Sequence, residues 1–221
     1  MDLNQQKHSD LTFDVLFDGA VKCLKNAQEL CDEAEMLQQG GKFCRAFALS
    51  HFAHEEFTHS VLLFRALLDI ALQKRLTWKK LDHYILKPKQ KRVTQVAISK
   101  ALLTDLHLDL DTTTQQLMLE SELKQIRQSH ALYTQRVNSE FVLPSEQISE
   151  IQSEKYINLA VYRIAKLGPA LVELRHLQGM TKQEVKQGFP KKALKNTQLF
   201  LEMVLERRSY QDKPSYTNRT K

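Results

Sequence analysis

Apolar residues recur every three or four positions over residues 11–39, through Leu16, Ala20, Leu24, Ala27, Leu30, Ala34 and Leu37. This is the stripe of an amphipathic helix, and Gly40-Gly41 predicts its end, because glycine takes the left-handed cap that other residues resist. A second helix is expected over residues 43–76, with Phe47, Phe52, Leu63 and Leu67 among its buried positions. Its segment 61–72 is apolar almost all round, which places it centrally in a bundle. The pattern weakens over 79–91, and Lys87-Pro88 predicts a break. A shorter helix follows over 91–104, then a loop over 105–113, a helix over 114–133 and a linker over 138–144. Ser145 is read as the N-cap of a helix to Leu177, kinked or split by Gly168-Pro169. Gly179 stops it, Thr181-Lys182-Gln183-Glu184 is a capping box opening a short helix, and a last helix is expected over 190–207.

Composition narrows this to an all-α reading. Only 6 Gly and 5 Pro in 221 residues exclude a sandwich or barrel, which needs a turn every 8–12 residues or so. No apolar run approaches the roughly 18 residues of a membrane span, and the polar segment 1–10 lacks a secretory signal's apolar stretch. Cys23, Cys31 and Cys44 are too few and odd in number for a disulfide framework. The expectation is one α-helical domain over 11–207, with a polar segment 1–10 before it and a disordered basic tail over 208–221. A cytoplasmic location away from membranes fits. The formal charge of +6 permits attraction to RNA without requiring it.

Chemistry-bearing residues concentrate in His51-Phe52-Ala53-His54-Glu55-Glu56-Phe57-Thr58-His59. His51, Glu55 and His59 stand at i, i+4 and i+8 on one helical stripe, and imidazole with carboxylate suits zinc or iron. The alternative is a polar groove in which the glutamates accept bonds from neighbouring helices. Glu56-x-x-His59 with Glu173-x-x-His176 offers a second metal reading, the ferritin-like iron or manganese carboxylate site. Its remaining carboxylates would come from Glu29 or Glu33 and from Glu120 or Glu122. Arg45-x5-His51 could cleave RNA without metal, the imidazole moving a proton and the guanidinium stabilising the phosphorane. Six residues rotate the two about 120° apart on a helix, so one phosphate is reached only at a helix end or across a dimer. Arg127 and His130 form a similar pair. Lys79, Lys80, Lys87, Lys89, Lys91 and Arg92, interleaved with Trp78, His83 and Tyr84, suit phosphate contact with base stacking, or a solvated connection between helices.

The order of these pieces resembles the AbiV-type abortive infection family of the HEPN superfamily. The resemblance runs from Gly19-Ala20 and Asn26-Ala27-x-x-Leu30-x-x-Glu33-Ala34-x-x-Leu37 through Gly41-Lys42-Phe43-x-Arg45-Ala46-x-Ala48-Leu49 to Ala53-His54-Glu55-Glu56. It continues in Trp78-x-x-Leu81-x-His83-x-x-x-Lys87, Ile126-x-x-x-His130-x-Leu132-Tyr133 and Pro144-Ser145, covering about 15–165. Where the family usually has lysine three positions after the paired glutamates, this chain has His59. The resemblance implies a HEPN-like helical bundle with additional C-terminal helices, in a bacterial cytoplasmic antiphage protein that arrests growth or translation in infected cells. It also implies a homodimer without a cofactor, a phage-encoded trigger, and RNA or the translation machinery as target. Many superfamily members are metal-independent ribonucleases with Arg-x4-6-His. Arg45 and His51 fit that spacing as candidate catalytic residues, although on an earlier helix than usual. Under this reading Glu55, Glu56, His59 and His83 organise a polar site and Lys87 meets phosphate; otherwise the glutamates and Lys87 form a structural ion pair. The alternatives are the di-metal protein and a non-catalytic helical adaptor for a phage or host protein.

Overall fold

The computed structural model describes residues 11–104 and 131–211. The expected segment 1–10, the loop over 105–113 and most of the helix over 114–133 lie outside the described residues. So do Glu120, Glu122, Arg127, His130 and most of the tail. Among the described residues are eight α-helices and one small hairpin. The helices are α1 (Phe13–Gln39), α2 (Phe43–Ala71), α3 (Trp78–Leu86), α4 (Pro88–Thr104), α5 (Pro144–Gln147), α6 (Glu150–Val172), α7 (Lys182–Gly188) and α8 (Thr197–Gln211). The strands are β1 (Gln135–Val137) and β2 (Glu140–Val142). The fold is an all-α HEPN-like bundle, and no described helix is long and apolar enough to cross a membrane.

Helix α1 starts at Thr12, whose hydroxyl accepts the Val15 N–H at 3.3 Å. It ends where Gly41 takes φ 69, so that Lys42 N–H reaches the Leu37 carbonyl at 2.8 Å and Gly41 N–H reaches Gln38 at 3.0 Å. That double bond pattern satisfies the last carbonyls of the helix and reverses the chain into α2. The two helices pack along small side chains, Ala20, Ala27, Ala34, Ala46 and Ala53, all fully buried. Ser60 clips the seam by donating its hydroxyl to the Ala20 carbonyl at 2.8 Å.

The same ending closes α2, with Gln73 in place of glycine. Gln73 sits at φ 58, and Lys74 N–H bonds the Asp69 carbonyl at 2.8 Å. The helix therefore stops at Ala71 and not near residue 76. A side chain in the left-handed region is strained, so Gln73→Gly should stabilise the protein by about 0.5–1 kcal/mol. A chemical-denaturation midpoint that fell instead would count against this cap.

Helix α6 packs across both members of the pair, α4 packs on α2, and α8 closes over α4 and α6. The core is formed mainly by Phe57, Phe64, Leu62 and Leu67 of α2 with Leu167 and Leu171 of α6 and Phe200 of α8. Phe52, expected inside, is 37% exposed. The long C-terminal helix begins at Ser149 and not Ser145: the Ser149 hydroxyl accepts Gln152 N–H at 3.2 Å and Gln152 answers at the Ser149 N–H at 2.9 Å. Pro169 does not split α6. It lies close to the helix end, where α6 tightens into a 3-10 turn (Glu173–Leu177), and the neighbouring Gly168 leaves room for Leu24 of α1. The capping box at Thr181 and Glu184 opens α7 as expected. Residues 191–195 form turns, so the last helix starts at Thr197.

Candidate functional site

Helix α2 carries the His/Glu cluster past three neighbours, and the structure divides its polar groups among them. Towards α1, Glu56 accepts from His59 Nδ1 at 3.3 Å. Asn26 and Cys23 also hydrogen-bond its carboxyl. The His59 bond is the largest influence and holds the Glu56 carboxyl below its usual range, against partial burial. Burial, reinforced by Glu56, pushes the Cys23 thiol up to about 12, so Cys23 is a protonated donor at neutral pH and not a nucleophile.

Towards α4, Glu55 pairs with Lys91 at 3.4 Å, both side chains partly buried. An ion pair this accessible contributes below about 1 kcal/mol. His51, one turn earlier on the same stripe, packs beside the Tyr156 ring at 6.2 Å between centroids. Burial lowers its pKa while nearby Glu55 pulls it back.

Towards α6 lies a polar junction that the pattern of α2 alone did not define. His54, 3% exposed, and Arg163, 5% exposed, meet at 3.3 Å between Arg163 Nη1 and His54 Nδ1. Arginine only donates, so Nδ1 must be the acceptor and the imidazole is the neutral Nε2–H tautomer. Its Nε2–H then donates to the Tyr156 carbonyl at 3.2 Å, and its ring meets the Tyr156 ring edge-on at 4.6 Å. Arg163 Nη2 donates in turn to the Ser99 hydroxyl of α4. Helices α2, α4 and α6 are thus tied together, the uncharged imidazole joining α2 to α6 and the Arg163 guanidinium carrying the link on to α4. Complete burial, and then the Arg163 charge, drive the His54 pKa well below its ordinary value.

Arg163, Ser99 and Tyr156 were missed as site residues. Arg163 had a readable mark, since it interrupts the apolar stripe Ala160, Ile164, Leu167 and Leu171 of α6; a charge there has to find a buried partner. Ser99 had no comparable mark.

The other expected residues are more dispersed. Arg45 is exposed on the first turn of α2 whereas His51 is turned towards Tyr156. His83 and Lys87, at the α3–α4 corner, are exposed, and the lysine that meets Glu55 is Lys91. Glu173 and His176 lie exposed on the 3-10 turn. That turn is anchored to the start of α1 by Arg175–Asp14 at 2.8 Å. Glu56 and His59 face α1 near Cys23, nine residues and so about 13.5 Å further along that helix than Asp14. Glu29 and Glu33 point to solvent. Among the described residues no three His, Cys, Asp or Glu side chains are grouped to hold a metal ion.

Lys79, Lys80, Lys87, Lys89 and Arg92 are exposed along α3 and α4. Leu81 and the half-buried Trp78 fix α3 to the main core, so the basic segment rides on a folded element and not on a free loop. Residues 78–104 hold seven lysines and arginines against one aspartate, an excess equal to the whole chain's formal +6.

No curated protein and no solved structure matches the chain. The AbiV family model, HEPN_AbiV, matches residues 15–165, a span that takes in the α1–α2 pair, the basic helices and the junction of His54 with Arg163. The chain therefore belongs to the AbiV family of abortive-infection, antiphage HEPN-domain proteins.

Proposed function

We propose that this protein is an antiphage effector of the cytoplasm that acts by holding RNA along the exposed basic edge of α3 and α4. The observation that supports this is the charge distribution. The positive excess of the chain is collected on two consecutive helices, while the acidic and imidazole groups of α2 are engaged with one another and with α1, α4 and α6. Such a strip attracts a phosphate backbone by counterion release. Binding, and not hydrolysis, is the reading that fits, because the one-helix pair Arg45 and His51 faces two directions.

Titration of labelled single-stranded RNA at several salt concentrations tests it. Affinity should fall with salt, by a log–log slope near −0.7 for each phosphate neutralised. A variant carrying Lys79→Ala, Lys80→Ala, Lys87→Ala and Lys89→Ala should bind about 10–100-fold more weakly at moderate salt, with a slope shallower by about 3. Wild-type protein that ignores RNA at low salt, or a quadruple variant that binds equally well, defeats the reading. Expressed with phage present, Arg45→Ala/His51→Ala should still arrest growth with total RNA intact; degradation that depends on these two residues would establish a nuclease instead.

A further inference from the structure

Given RNA along α3 and α4, on which this rests, we propose that the crossing of α2 and α4 holds one guanine base. The base stacks on Phe52 and is read along its pairing edge by Glu55 and Lys91. A carboxylate beside a strip that gathers phosphate repels the ligand. Glu55 nonetheless sits against that strip, paired with Lys91, which stands between Lys89 and Arg92 in α4. A pair this accessible adds little to stability, so the fold itself has slight need of it.

The arrangement of the pair suits a base. Lys91 Nζ meets Glu55 at Oε2, 3.4 Å away, a long contact for an ammonium that has two further N–H groups to give. Among the described residues nothing hydrogen-bonds Glu55 Oε1, and both side chains are partly exposed. Nζ, Oε2 and Oε1 therefore offer a donor followed by two acceptors. The complementary edge is an acceptor followed by two donors, which guanine presents as O6, N1–H and N2–H. Uracil matches the first two positions and then sets a second carbonyl against Oε1. Adenine and cytosine bring the lone pair of their central ring nitrogen against the carboxylate. Each of these bases leaves polar groups unpaired or opposed, and a polar site discriminates most strongly on that basis.

Phe52 supplies the stacking face. It lies three residues before Glu55, so the two are neighbours on the surface of α2, and its ring is exposed in mid-helix. Bases of single-stranded RNA are characteristically recognised by stacking on such a ring while their pairing edge is hydrogen-bonded. The charges of Glu55 and Lys91 both act on His51, in opposite senses, which sets the reading pair close to the residue that adjoins Phe52.

Binding of short labelled single-stranded RNAs to the full-length protein tests this, comparing all-uridine with the same chain carrying one central guanosine, inosine or adenosine. Guanosine should tighten binding about 10–100-fold over uridine or adenosine. Inosine, which lacks the N2 amine, should lose about 5-fold or more of that gain. Glu55→Gln should abolish the guanosine preference with the salt slope unchanged, and should bind all-uridine RNA slightly more tightly because a negative charge has gone. A Glu55 that acted only by repelling phosphate would make Glu55→Gln a gain for every RNA, so the two accounts differ in sign on the guanosine chain. Phe52→Ala should weaken the guanosine RNA about 10-fold or more, with unchanged helical circular dichroism and melting. Unlabelled GMP in excess separates a base carried by RNA from a free nucleotide: it should reduce the affinity for guanosine RNA to that for all-uridine RNA and leave the latter untouched. Equal affinity for guanosine and uridine RNA, or a preference that survives Glu55→Gln, overturns the guanine site and leaves the basic strip standing. GMP binding that needs Glu55, in a protein that ignores RNA, supports the site and defeats the strip, whereas binding of neither defeats both.

Discussion

Replacing Arg163 by alanine should lower the unfolding free energy by about 3–5 kcal/mol, as read by urea denaturation. Arg163 gives one hydrogen bond to His54 and one to Ser99 inside the bundle. A bond with a charged partner contributes ~1.5–3 kcal/mol, and its loss strands a buried acceptor. For a domain of this size the melting temperature should drop by about 10 °C, at roughly 2–4 °C per kcal/mol. Lysine should not rescue, since a single ammonium cannot serve two acceptors in the fixed fork geometry of a guanidinium. Replacing both partners with apolar residues of similar size, His54→Leu with Arg163→Met, should cost less than Arg163→Ala alone. A loss below about 1 kcal/mol for Arg163→Ala would mean that His54 and Ser99 find water, contrary to their burial.

The same junction sets the response to acid. In the native protein the His54 pKa is depressed, by burial first and Arg163 second, whereas in the unfolded chain it titrates near 6.5. Below that pH the unfolded state binds the proton and the native state refuses it, so stability falls as pH drops. This contribution is intact above about pH 7 and declines below 6.5, towards a slope of ~1.4 kcal/mol per pH unit. His51 is shifted in the same direction, chiefly by burial, and adds to the loss. His54→Leu combined with Arg163→Met should flatten the curve between pH 7 and 5; an unchanged slope would place the acid sensitivity elsewhere.

Phe64→Ala should cost a comparable 3–5 kcal/mol, the range for emptying a buried phenylalanine site. Phe64 is fully buried and meets the Phe17 ring edge-on at 5.8 Å between centroids. Phe17 lies under the Arg175 guanidinium at 4.7 Å, and Arg175 reaches Asp14 at 2.8 Å. The cavity therefore loosens α1, α2 and the 3-10 turn together. Phe52→Ala, on the same helix but exposed, is the control and should stay within about 0.5 kcal/mol. Similar losses from both would show that α2 presents a different face to the core.

The bundle was legible where periodicity and capping agree. Helix α1, its glycine stop, the core role of Val61–Leu68 and the Thr181 capping box all follow from local chemistry. Three features did not. The end of α2 depends on Gln73 adopting a backbone conformation that its side chain does not favour. Helix α3 is short and carries one buried residue, Leu81, too few for a stripe. The hairpin has only three residues per strand, and its Asn-Ser loop lacks the glycine that would announce it. At the candidate site, His51, His54, Glu55, Glu56 and His59 were visible as a group, but their division among α1, α4 and α6 required knowing which helices surround α2. The pairing of His54 with Arg163 spans more than a hundred residues of chain, and no local pattern encodes such a meeting.

The alanine seam between α1 and α2 fixes a gauge for the whole protein. Ala20, Ala27, Ala34, Ala46 and Ala53 are fully buried in a packed core, so a larger side chain at any of them overpacks its site, whereas glycine, serine or cysteine adds little or no volume. A valine at Ala27 would wedge the rods apart and tilt α2 against α6, displacing His54 from its guanidinium without touching either residue. Natural variants should thus diversify freely on the outward face of α1 while holding this narrow track constant.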